Sequence, residues 1–241
     1  MKLQIYGDSI MKAVVVDENY KYKSLSRSIL DELRLQTGIE SVNRAHFGYT
    51  TQKGQSVLQR DLEKGLDCQA ALLEFGGNDC DHNWAEVAAD PDGEHFPQTS
   101  LQRFLDNLQS MAQSLLSAGV QPILMTLPPL DAQRYLDFIG RLGSDKAAVL
   151  HWLGDVQMIY RWQEMYSSAI TQLAGRLGLP LADVRSRFLS RRDYQSLIAR
   201  DGIHLTEAGY GLVFEELSRT LSPAADETLP DSPHTALLLF H

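Results

Sequence analysis

The 241-residue sequence has little cysteine and more acidic than basic residues. Its two cysteines, Cys68 and Cys80, are too few for a disulfide framework or a cysteine-based zinc site. Lysine and arginine number 22 against 31 aspartate and glutamate residues, which gives a net charge of −9 at pH 7. Nucleic-acid binding depends on extended clusters of lysine and arginine, so we do not expect this protein to bind nucleic acid.

Long hydrophobic runs are also missing. A membrane-spanning helix needs about 20 consecutive apolar residues, and we find no such stretch. The N-terminus enters an apolar strand at Leu3 without the pattern of a signal peptide. The seven histidines do not have the spacing of metal ligands. The sequence therefore predicts a cytoplasmic globular protein with neither a metal ion nor another cofactor.

Short apolar runs alternate along the chain with segments whose apolar residues recur at helical spacing. The runs that predict strands lie near residues 3–6, 40–44, 70–75, 121–127 and 179–184. The segments that predict helices are 24–38, 50–65, 100–119 and 206–221, while 11–23 and 81–99 are predicted to be loops. The alternation predicts an α/β fold, with a parallel sheet between helices and the chemistry at the carboxyl ends of the strands.

Residues 130–175 depart from this alternation, because two helical stretches, 130–142 and 144–173, follow each other. They carry six aromatic residues: Tyr135, Phe138, Trp152, Tyr160, Trp162 and Tyr166. We interpret them as a helical insertion in a single domain of residues 1–222. Either the N-terminal part of the insertion forms a lid or a subunit contact that shapes a substrate pocket, or the aromatic residues belong to the core.

The C-terminal tail, 223–241, begins as a linker and ends in the apolar run Thr235-Ala236-Leu237-Leu238-Leu239-Phe240. Such a run is too apolar to remain in solvent, and we expect it to dock on its own domain or on a second subunit. The helical insertion and the tail are thus two possible routes to a homo-oligomer.

Two local features have an ordinary interpretation. Cys80 has no neighbouring base in the sequence, and we expect a packed thiol. Four arginines near the last strand are expected to form a solvated surface, with binding of an acidic substrate group as the alternative. They are Arg185, Arg187, Arg191 and Arg192.

Three separated stretches carry side chains suited to acyl transfer. Ser9 follows a strand that ends at Gly7, where a hydroxyl can project from a rigid scaffold into a crevice. Asp201 precedes His204 by three residues, so that one loop can provide both a general base and the carboxylate that orients it. Asn78 follows the strand near residues 70–75 and two glycines, and its amide is a candidate oxyanion donor.

The chain resembles the SGNH hydrolases of the GDSL esterase and lipase superfamily. Four sequence blocks carry this resemblance in the order found in that family, with Ile10 where the family name has leucine. The blocks are Gly7-Asp8-Ser9-Ile10, Gly48 within Asn43-Arg44-Ala45-His46-Phe47-Gly48-Tyr49-Thr50, Gly76-Gly77-Asn78-Asp79, and Asp201-Gly202-Ile203-His204. The resemblance implies a three-layer α/β/α sandwich with a mainly parallel, flavodoxin-like central sheet.

The resemblance also implies a role for each matching residue. Ser9 would be the nucleophile, His204 the base and Asp201 its orienting partner, while the backbone N–H groups of Ser9 and Gly48 and the Asn78 amide would form the oxyanion hole. Asp8, Gly77 and Asp79 would support these loops. Tyr49 and Trp84 are candidate pocket residues, and Trp84 could equally be a loop anchor packed on the core. Glycine at position 48 could equally be required only by a turn with positive φ.

The function expected from these residues is hydrolysis of a small carboxylic ester through an acyl-enzyme, with short acyl or O-acetyl groups favoured. Three alternatives remain open. The same residues could serve an acyltransferase, or a thioesterase or lysophospholipase, and a site without activity would leave a binding module. The expected partner in every catalytic case is a small-molecule ester.

Overall fold

The structure is a computed structural model, in which residues 1–25 and 29–222 are described. The strands of this part of the chain are β1 (Lys2–Gly7), β2 (Val14–Val16), β3 (Tyr22–Ser24), β4 (Glu40–Asn43), β5 (Ala70–Glu74), β6 (Gln121–Met125) and β7 (Leu181–Ala182). The first helices are α1 (Ile29–Thr37), α2 (Thr51–Lys64), α3 (Trp84–Ala89), α4 (Leu101–Ser117) and α5 (Ala132–Arg141). They are followed by α6 (Lys146–Leu153), α7 (Gln157–Leu177), α8 (Val184–Leu189), a 3₁₀ turn at Tyr194–Leu197 and α9 (Glu207–Leu221).

The central sheet contains five strands in the order β4-β1-β5-β6-β7, and each neighbouring pair is parallel. Counted by their order along the chain, these strands run 2-1-3-4-5, which is the flavodoxin-like order. All five residues of β5 are buried, as expected for a parallel sheet that is covered on both faces. The predicted parallel α/β sheet is thus confirmed.

Helices cover both faces of the sheet, because successive strand residues point to opposite sides. On one face Leu3 and Ile5 pack in a hydrophobic cluster with Val213 of α9. On the other face Tyr6 belongs to a cluster that includes Phe104 of α4. These two clusters give the three layers of the α/β/α sandwich that the resemblance implied.

The predicted loop at 11–23 is wrong in part, because β2 and β3 form an antiparallel hairpin there. Each strand has three residues, too few to give a recognisable alternating pattern. In the turn between them, the Asp17 carboxylate accepts hydrogen bonds from the backbone N–H groups of Asn19 and Lys21. Tyr20 has a positive φ of 61°. The hairpin follows directly after the Ser9 segment, and Val14 N–H donates to the carbonyl oxygen of Ser9.

The predicted loop at 81–99 and the single long helix predicted at 144–173 also need correction. The loop contains α3, whose Trp84 and Val87 are buried. The long helix is divided at Gly154, which has a positive φ of 69° and ends α6. Together with α5, these helices enclose a third hydrophobic cluster that includes Tyr135 and Phe138. Those aromatic residues therefore belong to a local core, as one of the two interpretations expected.

Arg185 corrects the interpretation of the arginine cluster as solvated surface. It is buried, it forms an ion pair with Glu164, and its Nη1 donates to the carbonyl oxygen of Leu127. By contrast, Arg187 and Arg191 have partly exposed side chains that form ion pairs at the surface.

The predicted contact of the tail, 223–241, lies outside the described residues, as do the side chains of Ile29, Leu30 and Leu33 in α1. None of the described helices is both long and apolar enough to cross a membrane.

Candidate active site

The candidate residues gather at the carboxyl ends of β1 and β5, where chain crossovers leave in opposite directions. Ser9 lies two residues after β1 and Asn78 lies four residues after β5. The two strand ends approach each other closely, and Gly7 permits this. A Cβ atom at Gly7 would lie 2.7 Å from Glu74 Oε2 and 2.9 Å from the Glu74 carbonyl oxygen.

Ser9, His204 and Asp201 form a continuous chain of hydrogen bonds. Ser9 Oγ is 2.9 Å from His204 Nε2, and His204 Nδ1 is 2.6 Å from Asp201 Oδ2. The three side chains are buried, and Asp201 is not exposed at all. Because an ionised carboxylate only accepts hydrogen bonds, we assign the imidazole proton to Nδ1. His204 Nε2 is then the acceptor that faces the serine hydroxyl.

The loop that carries Asp201 and His204 is fixed by its own backbone and by α5. Asp201 Oδ1 accepts hydrogen bonds from the N–H groups of Ile203 and His204, at 3.2 and 3.1 Å. Gly202 has a positive φ of 83° and packs on the start of α5, where Asp131 N–H donates to its carbonyl oxygen at 2.8 Å. Thr206 caps α9 immediately afterwards. The position of the imidazole is therefore determined by several independent contacts.

Asn78 lies beside Ser9 and lines the same cavity, but its amide is occupied in this structure. Its Nδ2 donates to Asp8 Oδ2 at 2.9 Å and to the carbonyl oxygen of Tyr49 at 3.2 Å. An amide nitrogen has two hydrogens, so an oxyanion can be bound only by exchange of one partner. The contact with Tyr49 is the longer one. Gly48 precedes Tyr49 with a φ of 70°, and open space surrounds the position of a Cβ atom, so its glycine is required by backbone conformation.

The predicted supporting residues make hydrogen bonds that hold their loops. Asp8 Oδ1 accepts from the N–H group of Ile10 at 2.9 Å, within the Ser9 turn. Asp79 accepts from Thr51 N–H at 3.0 Å and from Thr51 Oγ1 at 2.6 Å, which ties the end of β5 to the start of α2. Burial raises the pKa of Asp79. Gly77 lies alongside, and a Cβ atom there would be 3.4 Å from Asp8 Oδ2.

Glu74 is a site residue that the sequence analysis missed. Its side chain is fully buried and lines the cavity, and Oε2 accepts a hydrogen bond from Asp8 N–H at 3.1 Å. Burial and the neighbouring Asp8 charge raise the pKa of Glu74 well above its usual value, and burial raises the pKa of Asp8 to about 6. A charged residue type at the end of a wholly apolar strand was the signal available in the sequence.

A cavity of about 70 Å³ opens beside Ser9 and His204. Helical segment 130–175 supplies part of its wall through Leu130, Tyr135, Ile159 and Trp162. Trp84 lines it and also packs in the third hydrophobic cluster. Tyr49 does not line it, because its ring stacks on His46 and packs against the cluster on the α4 side of the sheet.

Several polar groups of this cavity wall are joined by hydrogen bonds, whereas the buried His82 Nδ1 and Glu74 Oε1 have no hydrogen-bond partner among the described residues. Asp81 accepts hydrogen bonds from Trp84 Nε1 at 2.8 Å and from Tyr135 Oη at 2.7 Å, and burial raises its pKa to about 6. Next to it, burial lowers the pKa of His82 to about 4, so that this histidine is neutral at pH 7. The thiol of Cys80 is buried, which raises its pKa and leaves it protonated, as expected of a packed cysteine.

Two aromatic rings that the sequence analysis did not single out contact His204. The centroid of Tyr22 lies 5.0 Å from that of the imidazole, and the centroid of Phe47 lies 6.0 Å from it at an interplanar angle of 11°. Within residues 1–25 and 29–222, no cluster of three or more histidine, cysteine or acidic side chains is arranged to hold a metal ion. The assembled groups can perform proton transfer and nucleophilic attack by a hydroxyl.

Comparison of the sequence with known families and proteins gives consistent matches. The profile of the GDSL-like Lipase/Acylhydrolase family matches residues 5–212. A GDSL esterase/lipase of Arabidopsis thaliana is 25% identical over 240 residues, which cover 97% of this chain and 91% of that protein. An isoamyl acetate-hydrolyzing esterase 1 homolog of Bos taurus is 27% identical over 224 residues, which cover 90% of this chain and 79% of that protein.

Solved structures with the same fold include two hydrolases. A lipase/acylhydrolase from Enterococcus faecalis gives a TM-score of 0.62 at 19% identity, covering 90% of this chain and 93% of that one. A catalytic mutant of an acetylxylan esterase from Geobacillus stearothermophilus gives a TM-score of 0.64 at 16% identity, covering 91% of this chain and 93% of that one. The family profile spans most of the sequence, and the chain therefore belongs to the GDSL-like lipase/acylhydrolase family of SGNH serine ester hydrolases.

Proposed function

We propose that this protein is an esterase that hydrolyses short-chain carboxylic esters, acetyl esters included, through an acyl-enzyme formed on Ser9. The observation that carries the proposal is the hydrogen-bonded series of Ser9 Oγ, His204 Nε2 and Nδ1, and Asp201 Oδ2 beside a small cavity. A serine hydroxyl is a weak nucleophile on its own, and a base within hydrogen-bond distance activates it by accepting its proton.

The first half of the reaction forms the acyl-enzyme. His204 Nε2 accepts the proton of Ser9 Oγ as this oxygen attacks the ester carbonyl carbon, and Asp201 stabilises the resulting imidazolium. When the tetrahedral intermediate collapses, the bond to the alcohol oxygen breaks and His204 returns the proton to that oxygen. In the second half a water molecule gives a proton to His204 as its oxygen attacks the acyl carbon. The bond between that carbon and Ser9 Oγ then breaks, His204 returns the proton to Ser9 Oγ, and the carboxylic acid leaves.

In both tetrahedral intermediates the former carbonyl oxygen carries a negative charge, which must be stabilised by nearby hydrogen-bond donors. In our proposal these are the backbone N–H groups of Ser9 and Gly48 and the side-chain amide of Asn78. The Asn78 amide exchanges its 3.2 Å contact with the Tyr49 carbonyl oxygen for the oxyanion. Donors of this kind each lower the barrier by about 3 kcal/mol.

The size of the cavity supports a short acyl group. Its volume is about 70 Å³, roughly half that of an engineered cavity of about 150 Å³ that binds benzene. Two side chains of its wall, Trp84 and Tyr135, are held in place by hydrogen bonds to Asp81. Two of the similar proteins named above carry names that specify acetate esters, which agrees with an acyl chain of a few carbons.

Hydrolysis of p-nitrophenyl esters from acetate to long-chain acyl groups, with wild type and Ser9→Ala side by side, tests this proposal. We expect activity that declines steeply as the acyl chain outgrows the cavity, and loss of at least about a thousandfold in kcat for Ser9→Ala. Undiminished turnover by folded Ser9→Ala would exclude the mechanism. Equal activity on acetate and long-chain esters would exclude the short acyl pocket.

A further inference from the structure

The rings of Tyr22 and Phe47 form an exposed aromatic patch beside the candidate base. Phe47 is 53% exposed and Tyr22 is 40% exposed, yet both contact the buried imidazole of His204. The two rings also contact each other, with centroids 5.1 Å apart. Single exposed apolar residues are common on protein surfaces, but rings from two separate segments that meet beside a reactive histidine suggest a binding surface.

The backbone presents both rings in fixed positions. Phe47 occupies the tip of a turn in which Tyr49 N–H donates to the His46 carbonyl oxygen, and the turn is joined to β1 through His46 N–H and the Gly7 carbonyl oxygen. The turn thus projects the Phe47 ring over His204.

Tyr22 is held at both ends of its side chain. Its ring packs edge-on against Phe138 of α5, with centroids 6.3 Å apart. Burial raises the pKa of its hydroxyl, and the charge of Asp201 together with a hydrogen bond to it acts in the same direction. The hairpin tip is fixed as well, since Tyr20 stacks on Phe138 and lies under the guanidinium of Arg141, 4.2 Å from the ring centroid.

The chemistry of the reaction decides which part of an ester meets these rings. In the proposed mechanism His204 Nε2 delivers a proton to the leaving alcohol oxygen, so the alcohol must lie against His204. The small cavity is lined neither by Tyr22 nor by Phe47, and it is formed mainly by residues 74–84, 127–135 and 159–163. The acyl group and the alcohol therefore have separate surroundings, one enclosed and one open.

We propose that Tyr22 and Phe47 form the subsite for the alcohol portion of the ester and that this subsite selects alcohols bearing a ring. Aromatic faces bind flat ring faces by stacking. An open surface also accommodates an alcohol far larger than the acyl group. This inference rests on the proposed esterase function, and it adds the class of alcohol.

The test compares kcat/KM for benzyl acetate and ethyl acetate, because both esters give the same acetyl-enzyme and differ only in the alcohol that leaves. In Phe47→Ala we expect the benzyl-to-ethyl ratio of kcat/KM to fall by about threefold to tenfold. Tyr22→Phe should retain the ratio, since the ring remains when the hydroxyl is lost. The matched control is Phe96→Ala, which removes a ring that is 71% exposed and absent from the cavity lining, and should leave the ratio unchanged.

The outcomes separate the two proposals. A Phe47→Ala enzyme that is active with an unaltered benzyl-to-ethyl ratio overturns the alcohol subsite and leaves the esterase function standing. The same fall in Phe96→Ala as in Phe47→Ala would also overturn it, because the effect would then not belong to the patch. Ser9→Ala measured on both acetates reports on the esterase function alone, since it removes the nucleophile whatever the alcohol.

Discussion

Asn78 is the residue whose observed partners differ most from its proposed role. Its amide hydrogens are directed to Asp8 and to the Tyr49 carbonyl oxygen. An oxyanion can therefore bind to the amide only when one of these two hydrogen bonds is broken. We expect the hydrogen bond to Asp8 to be the one that is kept, because a hydrogen bond to a carboxylate is stronger than one to a neutral carbonyl. In the proposed mechanism the Tyr49 contact is lost and the hydrogen bond to Asp8 is kept, so that Asp8 would orient the Asn78 amide.

We expect Asn78→Ala to lower kcat by about a hundredfold, with little change in KM, because the amide contributes mainly when negative charge develops on the carbonyl oxygen. Steady-state kinetics on p-nitrophenyl acetate measure both constants. The control is Asn83→Ala, which removes an exposed amide that donates to Glu86. An Asn78→Ala enzyme with a raised KM and normal kcat would show that Asn78 binds the ground state instead.

That Ser9 and Asn78 lie at the same edge of the sheet could be predicted from the sequence, because both side chains follow strand ends. Ser9 and Asn78 come after two adjacent strands of a parallel sheet, and the carboxyl ends of such strands share one edge. Contacts between segments that are distant in the sequence could not be predicted in this way. Tyr22 and His204 are 182 positions apart in the sequence, and the two rings meet through tertiary contacts such as the packing of the hairpin on α5.

At the scale of secondary structure, the long periodic elements were predictable and the short ones were not. Helix α4 shows a clear apolar stripe, and its N-cap at Ser100 accepts a hydrogen bond from Arg103 N–H. Helix α3 has six residues between segments rich in proline, glycine and aspartate, so its pattern resembled that of a loop. Its stability comes from burial of Trp84 and Val87 against α6, which is a tertiary effect.

Helix α5 has a positioning function for the loop of Asp201 and His204, and Gly202 is where the two segments touch. A Cβ atom at Gly202 would lie 2.4 Å from the Tyr135 nitrogen and 2.6 Å from the Asp131 carbonyl oxygen. The contact is with backbone, which cannot rotate away as a side chain can. The helical segment 130–175 therefore constrains the loop of Asp201 and His204 and also forms part of the cavity wall.

We expect Gly202→Ala to lower the free energy of unfolding by roughly 2 kcal/mol or more and to reduce kcat, since both the positive φ and the clash must be relieved by shifting the loop. Urea unfolding and esterase kinetics measure the two effects. Gly211→Ala is the matched control: Gly211 lies inside α9 with open space around it, and alanine there should stabilise the protein by up to about 1 kcal/mol. Unchanged stability and activity in Gly202→Ala would refute the packing argument.

At the scale of the whole molecule, burial of titratable groups near the cavity makes stability depend on pH. Asp81 and His82 are neighbours in the sequence, but burial shifts their protonation equilibria in opposite directions. It raises the pKa of Asp81 to about 6 and lowers the pKa of His82 to about 4. The folded protein therefore keeps both groups neutral over a wider range of pH than the unfolded chain does.

The sign of each contribution follows from which state binds more protons. Between pH 4 and 6 the folded state holds more protons on Asp81 than the unfolded state, so the contribution of Asp81 to the free energy of unfolding falls as pH rises. For His82 the unfolded chain binds more protons between pH 4 and 6.5, so its contribution rises over that window. The two effects oppose each other in the wild-type protein.

Replacement of Asp81 removes its own contribution from the pH dependence of the free energy of unfolding. In Asp81→Asn the falling contribution is removed, so between pH 4 and 6 the mutant should gain stability relative to wild type as pH rises, by at most about 1.4 kcal/mol per pH unit. Urea unfolding at pH 4, 5, 6 and 7 measures the difference, and Asp92→Asn, at a side chain that is 87% exposed, is the matched control. Parallel curves for wild type and Asp81→Asn would mean that Asp81 titrates alike in both states. The Asp81 carboxylate would then be stabilised by Trp84 and Tyr135 enough to offset its burial.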